Sequence, residues 1–326
     1  MNTSVPWTEP TDRLQRPFKI FAGNSNPPLA QKISDLIRMP LGNRVLRTFS
    51  DGEIHSEIAE NVRGIDAYIV QSTCNPANTN LMELLILGDA LRRASTRTVT
   101  AVIPYYGYSR QDRKTAPRTP ITARLVADLI SAAGFNRVIT VDLHAGQIQG
   151  FFNFPVDHLF GNYVMKPHLL KKYSSEPLTI VSPDAGGTER ARYMAKALDC
   201  PLAIVDKRRS GPNEAKAMNL IGEIKGRTAI LVDDMIDTAG TLSEASRLLR
   251  AEGALKVVAC ASHGVFSGPA LERLSEANFD ELVISDTIPL QEGFKKLNNL
   301  TVLSVAPLIA ETILRIQRND SVSALF

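Results

Sequence analysis

The chain has 326 residues, enough for roughly two domains, and its 44% hydrophobic, 22% charged, 20 Gly and 19 Pro are ordinary values that exclude collagen-like and broadly disordered readings. Lys plus Arg is 37 against 34 Asp plus Glu, a net +3 that is too balanced for a nucleic-acid binder, so any anion preference has to come from local clusters. Three cysteines, Cys74, Cys200 and Cys260, show no CxxC or Cys/His spacing, which argues against a disulfide scaffold or structural zinc and for a reducing cytoplasm.

Residues 1–16 carry two prolines and two acids without an apolar stretch, so they read as a flexible tail and not as a signal peptide. No apolar run approaches the ~18–20 residues of a membrane span. From Phe18 on, short β-branched runs alternate with longer amphipathic segments. The runs are 18–22, 67–71, 98–103, 137–141, 178–181, 202–205, 228–232, 256–262, 281–285 and 301–305. Most lack polar alternation, the pattern of strands buried on both faces of a parallel sheet.

Between them, 78–94 is apolar nearly all round and reads as a buried helix or an oligomer contact. Thr119-Pro120 predicts a helix start with Thr119 as N-cap, and Gly134 its end. Thr241-Leu-Ser-Glu244 has the spacing of a capping box, with Gly253 closing that helix. The alternation predicts an α/β protein of two doubly wound, mainly parallel-sheet domains, divided in the Gly/Phe/Pro stretch 150–155.

The strongest chemical signal is Ile230-Leu-Val-Asp-Asp-Met-Ile-Asp-Thr-Ala-Gly-Thr241. A buried strand ends in Asp233 and Asp234, and the small polar loop Asp237, Thr238, Ala239, Gly240, Thr241 opens a helix. Small residues let backbone N–H groups point inward, and the helix start adds positive potential, so the loop suits a monophosphate. The carboxylates suit vicinal sugar hydroxyls or Mg²⁺. An ordinary acidic strand end before a helix has the same spacing.

Asp206-Lys207-Arg208-Arg209 follows a strand and precedes the turn-rich Ser210-Gly-Pro-Asn213. It is either a solvated charge run or a cationic clamp. Arg110, Arg113, Lys114 and Arg118 follow the aromatic run Tyr105, Tyr106, Tyr108 and form an anion-binding loop or a local nucleic-acid patch; the lack of wider basic bias argues against nucleic acid. Asp142 and His144 sit at a strand's carboxyl end, where α/β sheets place ligands. Asp184 has the same placement. Asp51-Gly52 alone has the form of a turn. His55, His158, His168 and His263 lack site context and read as structural.

The Ile230–Thr241 string resembles the phosphoribosyl-diphosphate signature of type I phosphoribosyltransferases. Phe49-Ser-Asp-Gly-Glu53, Tyr105-Tyr-Gly-Tyr-Ser-Arg-Gln-Asp112, Val141-Asp-Leu-His144 with Gln147-Ile-Gln-Gly-Phe-Phe152, Ser182-Pro-Asp184 and Asp206-Lys-Arg-Arg209 occur in the order of the ribose-phosphate pyrophosphokinases. The chain resembles the phosphate-dependent class I members from about residue 18 to its end.

The resemblance implies two type I phosphoribosyltransferase-like domains, 17–155 and 156–312, and a tail, 313–326, packing on the first domain or a neighbouring subunit. It implies diphosphoryl transfer from Mg–ATP to ribose 5-phosphate in a cytoplasmic enzyme for nucleotide synthesis. Lys207 and Arg209 would stabilise the transition state. Phe49, Asp51, Gly52, Glu53, Arg110, Gln111 and His144 would bind ATP, the first four from a neighbouring subunit. Asp233, Asp234, Arg209 and the 237–241 loop would bind ribose 5-phosphate. His144, Asp184 and Asp142 would contact Mg²⁺. Gln147, Ser321, Val322, Ser323 and Phe326 would form a regulatory anion site, with inorganic phosphate as activator, ADP as inhibitor and a homohexamer as the assembly.

Departures from the pattern are Asn153, where many relatives carry Asp, and Ala239, a tolerable change if its φ is negative. An ordinary phosphoribosyltransferase and a non-catalytic regulatory paralogue are the alternatives. The first leaves Arg110, Gln111 and His144 unexplained. The second is expected to lack part of the set Lys207, Arg209, His144 and Asp184.

Overall fold

The computed structural model describes residues 16–208 and 217–326, with the backbone alone at Lys207, Arg208, Ala217 and Met218. In chain order the elements are β1 (Phe18–Ala22), α1 (Pro27–Ile37), β2 (Arg44–Thr48), β3 (Ile54–Ile58), β4 (Asp66–Val70), α2 (Ala77–Arg93), β5 (Thr98–Ile103), α3 (Thr122–Ala132), β6 (Arg137–Val141) and β7 (Val156–Leu159). There follow α4 (Asn162–Tyr173), β8 (Leu178–Ser182), α5 (Thr188–Leu198), β9 (Leu202–Arg208), β10 (Ala217–Ile221), β11 (Thr228–Ile236), α6 (Gly240–Ala251), β12 (Lys256–Gly264), α7 (Ala270–Glu276), β13 (Glu281–Ser285), β14 (Leu300–Leu303) and α8 (Ala306–Arg318).

Two units result. The N-terminal unit runs to Phe160 and regains Thr287–Pro289 and Ser304–Phe326. Its five-stranded sheet has the order β1-β4-β5-β6-β7, parallel throughout. The C-terminal unit holds Gly161–Asp286 and Leu290–Leu303, with the sheet order β10-β9-β8-β11-β12-β13-β14. Its strands are parallel except β10, which pairs antiparallel with β9.

Strands lacking polar alternation do bury both faces. Ile230, Val232, Val258 and Cys260 pack with Met165 and Leu169 of α4 and Met194 of α5. Leu231, Val257 and Ala259 pack on the other side with Leu242 and Leu249 of α6 and Leu274 of α7. Neighbouring residues of one strand thus feed two cores, which is why these runs read as continuously apolar.

The divisions differ from those expected. The first falls after Phe160, not after Pro155, because β7 pairs with β6 in register Val138↔Val156. The second falls at Ser304, because α8 packs on α1 and Gln317 donates from Nε2 to Tyr68 Oη at 2.8 Å. The β2–β3 hairpin, β7 and β10 have no counterpart in the sequence reading. Arg44-Val-Leu-Arg-Thr48 and Ile54-His-Ser-Glu-Ile58 are half-exposed and polar, so they lack the buried signature.

Two helix starts also differ. Thr119 donates to the carbonyl of Ala116 at 2.8 Å instead of capping, and α3 begins at Thr122 with Ile121 as its N-cap residue. α6 begins at Gly240 after Ala239, with no side-chain cap, so Thr241 lies inside the helix and the capping box does not form. Gly134 and Gly253 follow their helices at φ +92° and +88°, the left-handed geometry that favours glycine there.

Candidate active site

In the N-terminal unit, Phe49–Glu53 is the tip of the β2–β3 hairpin. Phe49 N–H donates to Glu53 O at 2.8 Å and Glu53 N–H to the Asp51 carboxylate at 3.0 Å, while Gly52 takes φ +93°. The tip is exposed, with Phe49 at 44%. Its ring lies 5.5 Å from the His55 ring, with the Arg47 guanidinium 5.4 Å from its centroid.

The cationic loop leaves β5 through the buried Tyr105 and Tyr106. Gly107 passes so close to the carbonyl of Thr73 that a Cβ there would meet it at 2.2 Å. Arg110 and Gln111 are exposed beyond this pinch. Gln111 Oε1 accepts from Thr122 Oγ1 at 2.5 Å, tying its amide to the start of α3.

The next strand, β6, ends at Val141 and is followed by Asp142, buried and at φ +38°, and by the exposed His144. Gln147 Nε2 donates to the Asp112 carboxylate at 3.1 Å, so the Arg110 and His144 loops are joined. In the tail, Arg315 donates to Ser321 O at 2.9 Å, Val322 precedes a single turn at Ser323–Leu325, and the Phe326 ring packs on Phe160 at 5.5 Å.

In the C-terminal unit, β9, β8 and β11 are parallel neighbours. Their carboxyl ends therefore point the same way: Lys207 is one residue before the end of β9, Asp184 two past the end of β8, and Asp233 three before the end of β11. Of Lys207 the backbone is described, paired with Met218; Arg209 lies outside the described residues. The Asp184 carboxylate is exposed, and its Oδ1 accepts the Gly187 N–H at 3.0 Å at the start of α5.

Asp233 and Asp234 lie within β11, not at its end, since the strand runs on to Ile236 in register with Gly264. Arg190 of α5, which the sequence reading passed over, brings Nη1 to 3.4 Å from Asp234 Oδ1 and 3.7 Å from Asp233 Oδ1. Burial pushes the Asp233 carboxyl well above the usual carboxylate range, Asp234 beside it adds to this, and Arg190 pulls it back. An Arg at the third position of a helix after a Gly-Gly turn is a signal that sequence could have offered.

The 237–241 loop is held from outside. Ser267 Oγ donates to the Asp237 carboxylate, and Arg273 of α7 donates from Nη1 to the carbonyl of Thr238 at 3.0 Å. Ala239 takes φ +59°, against the expectation of a negative value, and is buried. With the Thr238 carbonyl bonded by Arg273, the loop leads into α6, whose first N–H groups lack partners within the helix. A bound monophosphate fits that arrangement.

Among the described residues, no group of three or more His, Cys, Asp or Glu side chains is placed to hold a metal ion. Mg²⁺ keeps several waters and takes one or two protein carboxylates beside substrate phosphates. Sparse oxygen and imidazole donors at strand ends fit an ion carried in by a nucleotide.

Small-residue helix starts and carboxylates at the carboxyl edge of doubly wound sheets define an α/β enzyme of phosphate-ester substrates. Residues 18–134 match the model of the N-terminal domain of ribose phosphate pyrophosphokinase, and 192–326 the phosphoribosyl synthetase-associated domain. The chain is 56% identical to the ribose-phosphate pyrophosphokinase of Caldanaerobacter subterraneus subsp. tengcongensis, over 96% of this chain and 99% of that one. It is 53% identical to that of Campylobacter jejuni, over 95% and 99%. The crystal structure of phosphoribosylpyrophosphate synthetase from Mycobacterium smegmatis superposes with a TM-score of 0.88 at 43% identity, covering 93% of this chain and 99% of that one. The chain belongs to the ribose-phosphate pyrophosphokinase family.

Proposed function

We infer that the chain transfers the β,γ-diphosphoryl group of Mg–ATP to the 1-hydroxyl of ribose 5-phosphate, giving 5-phosphoribosyl 1-diphosphate and AMP. The hydroxyl oxygen bonds to the β-phosphorus, the bond from that phosphorus to the α,β-bridging oxygen breaks, and the hydroxyl proton is released. The 237–241 loop takes the 5-phosphate, and Asp233 and Asp234 accept from the ribose hydroxyls. Arg110, Gln111 and His144 take the nucleotide, with Phe49, Asp51, Gly52 and Glu53 reaching it from a neighbouring subunit. Lys207 and Arg209 neutralise charge building in the transition state. His144 and Asp142 in one unit and Asp184 in the other would each serve as contacts for Mg²⁺, which would supply charge neutralisation at the phosphate oxygens. Nothing in this scheme needs a covalent nucleophile, so positioning and electrostatics carry the rate.

The observation that supports the reading is the parallel run of β9, β8 and β11, where the Asp184 carboxylate and the Asp233–Asp234 pair precede a helix start whose loop is braced by Arg273. We further read the assembly as a homohexamer, on the exposed hairpin tip, and Gln147 with Ser321, Val322, Ser323 and Phe326 as a site for inorganic phosphate or ADP. Three free cysteines support a cytoplasmic setting, and among the described residues no helix is long and apolar enough to cross a membrane. Incubation with ATP, Mg²⁺ and ribose 5-phosphate tests the reaction: AMP is expected in step with sugar consumption. ADP in place of AMP, or no turnover, contradicts it.

A further inference from the structure

We propose that His158 is a positioning residue for the nucleotide end of the site, acting through the backbone that carries His144. This rests on the reading of His144 as a contact to Mg–ATP. His158 lies on β7 opposite Thr140 of β6. Its ring does not stay with its own strand: Nε2 accepts the backbone N–H of Leu143 at 2.9 Å, one residue before His144.

That N–H takes a side-chain acceptor in place of a strand carbonyl. Asp142 still follows the β6 ladder, its N–H donating to Leu159 O at 2.9 Å, but turns at φ +38°. A non-glycine residue in that region is held there by its surroundings. Leu143 is itself buried, at 3% exposure, so its N–H has little water to turn to. The imidazole thus anchors the chain where it leaves the sheet and delivers His144 to the exposed edge.

The ring is held in turn. Phe160 lies 4.7 Å from it, and Phe326 packs on Phe160 edge to face at 5.5 Å and 81°. A ring packed this way loses little freedom on accepting the bond. The acceptor role also requires Nε2 to carry no proton, which fixes the neutral tautomer with the proton on Nδ1.

Three variants separate shape from hydrogen bonding. His158→Phe keeps a ring against Phe160 and loses the acceptor; His158→Gln places a carbonyl oxygen at the reach of Nε2; His144→Ala is the reference. The readouts are the KM for Mg–ATP, the KM for ribose 5-phosphate, and deuterium exchange of the 141–145 backbone. A buried N–H left unpaired corresponds to about a tenfold effect. His158→Phe is therefore expected to raise the KM for Mg–ATP about tenfold while that for ribose 5-phosphate stays within about twofold. It should also speed exchange at 141–145, and His158→Gln should recover most of both losses. Equal damage in the Phe and Gln variants makes His158 a packing residue and overturns the proposal. So does a parent-like His158→Phe beside an impaired His144→Ala, which leaves the reading of His144 standing. A His144→Ala enzyme with unchanged KM for Mg–ATP overturns that reading and this proposal together.

Discussion

Two five-residue loops, 49–53 and 237–241, behave as opposites. The 237–241 loop is braced from outside by Ser267 and Arg273 and runs straight into α6. The 49–53 hairpin tip is closed by its own backbone bonds and by the Asp51 carboxylate, with Arg47 and His55 beside the Phe49 ring and the rest exposed. The braced loop has its supports inside one chain, so its contribution to binding is built by folding. The exposed tip offers a ring and two carboxylates outward, so its contribution depends on what it meets. The first should fail through loss of its supports and the second through loss of its partner.

The largest effect is expected at two cations of the run Asp206-Lys207-Arg208-Arg209. Lys207→Ala and Arg209→Ala should each lower kcat about 10²–10³-fold, the loss typical of a preorganised charge at a transition state. A raised KM at unchanged kcat would instead make them ground-state binding groups. Next comes the brace. Arg273→Ala and Asp237→Asn should raise the KM for ribose 5-phosphate by about tenfold, as for a lost charged hydrogen bond, and that for ATP far less. Thr241→Ala should cost little stability, since Thr241 caps nothing in α6. Isothermal calorimetry on folded variants reads both. Phe49→Ala should leave the melting temperature within about 2 °C, as for an exposed side chain, and weaken ATP binding in the assembled protein alone. A variant that weakens ATP binding equally in an isolated chain would erase the contrast between the loops.

A smaller effect concerns Asp233. Its folded pKa is raised, so the stability it contributes is complete below its unfolded value near 4 and is lost as pH rises through the folded value. At pH 7 the group therefore costs stability. Asp233→Asn should raise the melting temperature by about 2–4 °C at pH 7, with the gain vanishing near pH 4, while impairing turnover. Arg190→Met should have the opposite sign, because it removes the guanidinium that faces both carboxylates. Equal melting temperatures at both pH values for Asp233→Asn would show that burial does not disfavour that charge.

The sequence carried the central strands well because burial on both faces leaves an unbroken apolar run, as at Thr98–Ile103 and Glu281–Ser285. It carried the hairpin poorly, because a half-exposed strand such as Ile54–Ile58 mixes Ile with His, Ser and Glu. Local capping signals misled at Thr119 and Thr241, where the surrounding fold moved the helix start by a residue or more. Motif strings located the candidate residues by position along the chain. Arg190, Arg273 and His158 escaped, because each acts across elements far apart in sequence: 44 residues from Asp234, 35 from Thr238 and 15 from Leu143. Of the three, Arg190 alone has a local signal, its place near a helix start after Gly186-Gly187.

The central claim is that the sugar's 1-hydroxyl oxygen attacks the β-phosphorus of ATP. The most direct measurement supplies ribose 5-phosphate labelled with heavy oxygen at the 1-hydroxyl, with Mg²⁺ and ATP, and follows the label by phosphorus NMR and mass spectrometry. The account predicts label retained in the oxygen bridging the sugar carbon to the diphosphate, and none in AMP. Label appearing in AMP, or a labelled monophosphate ester formed with ADP, would contradict it.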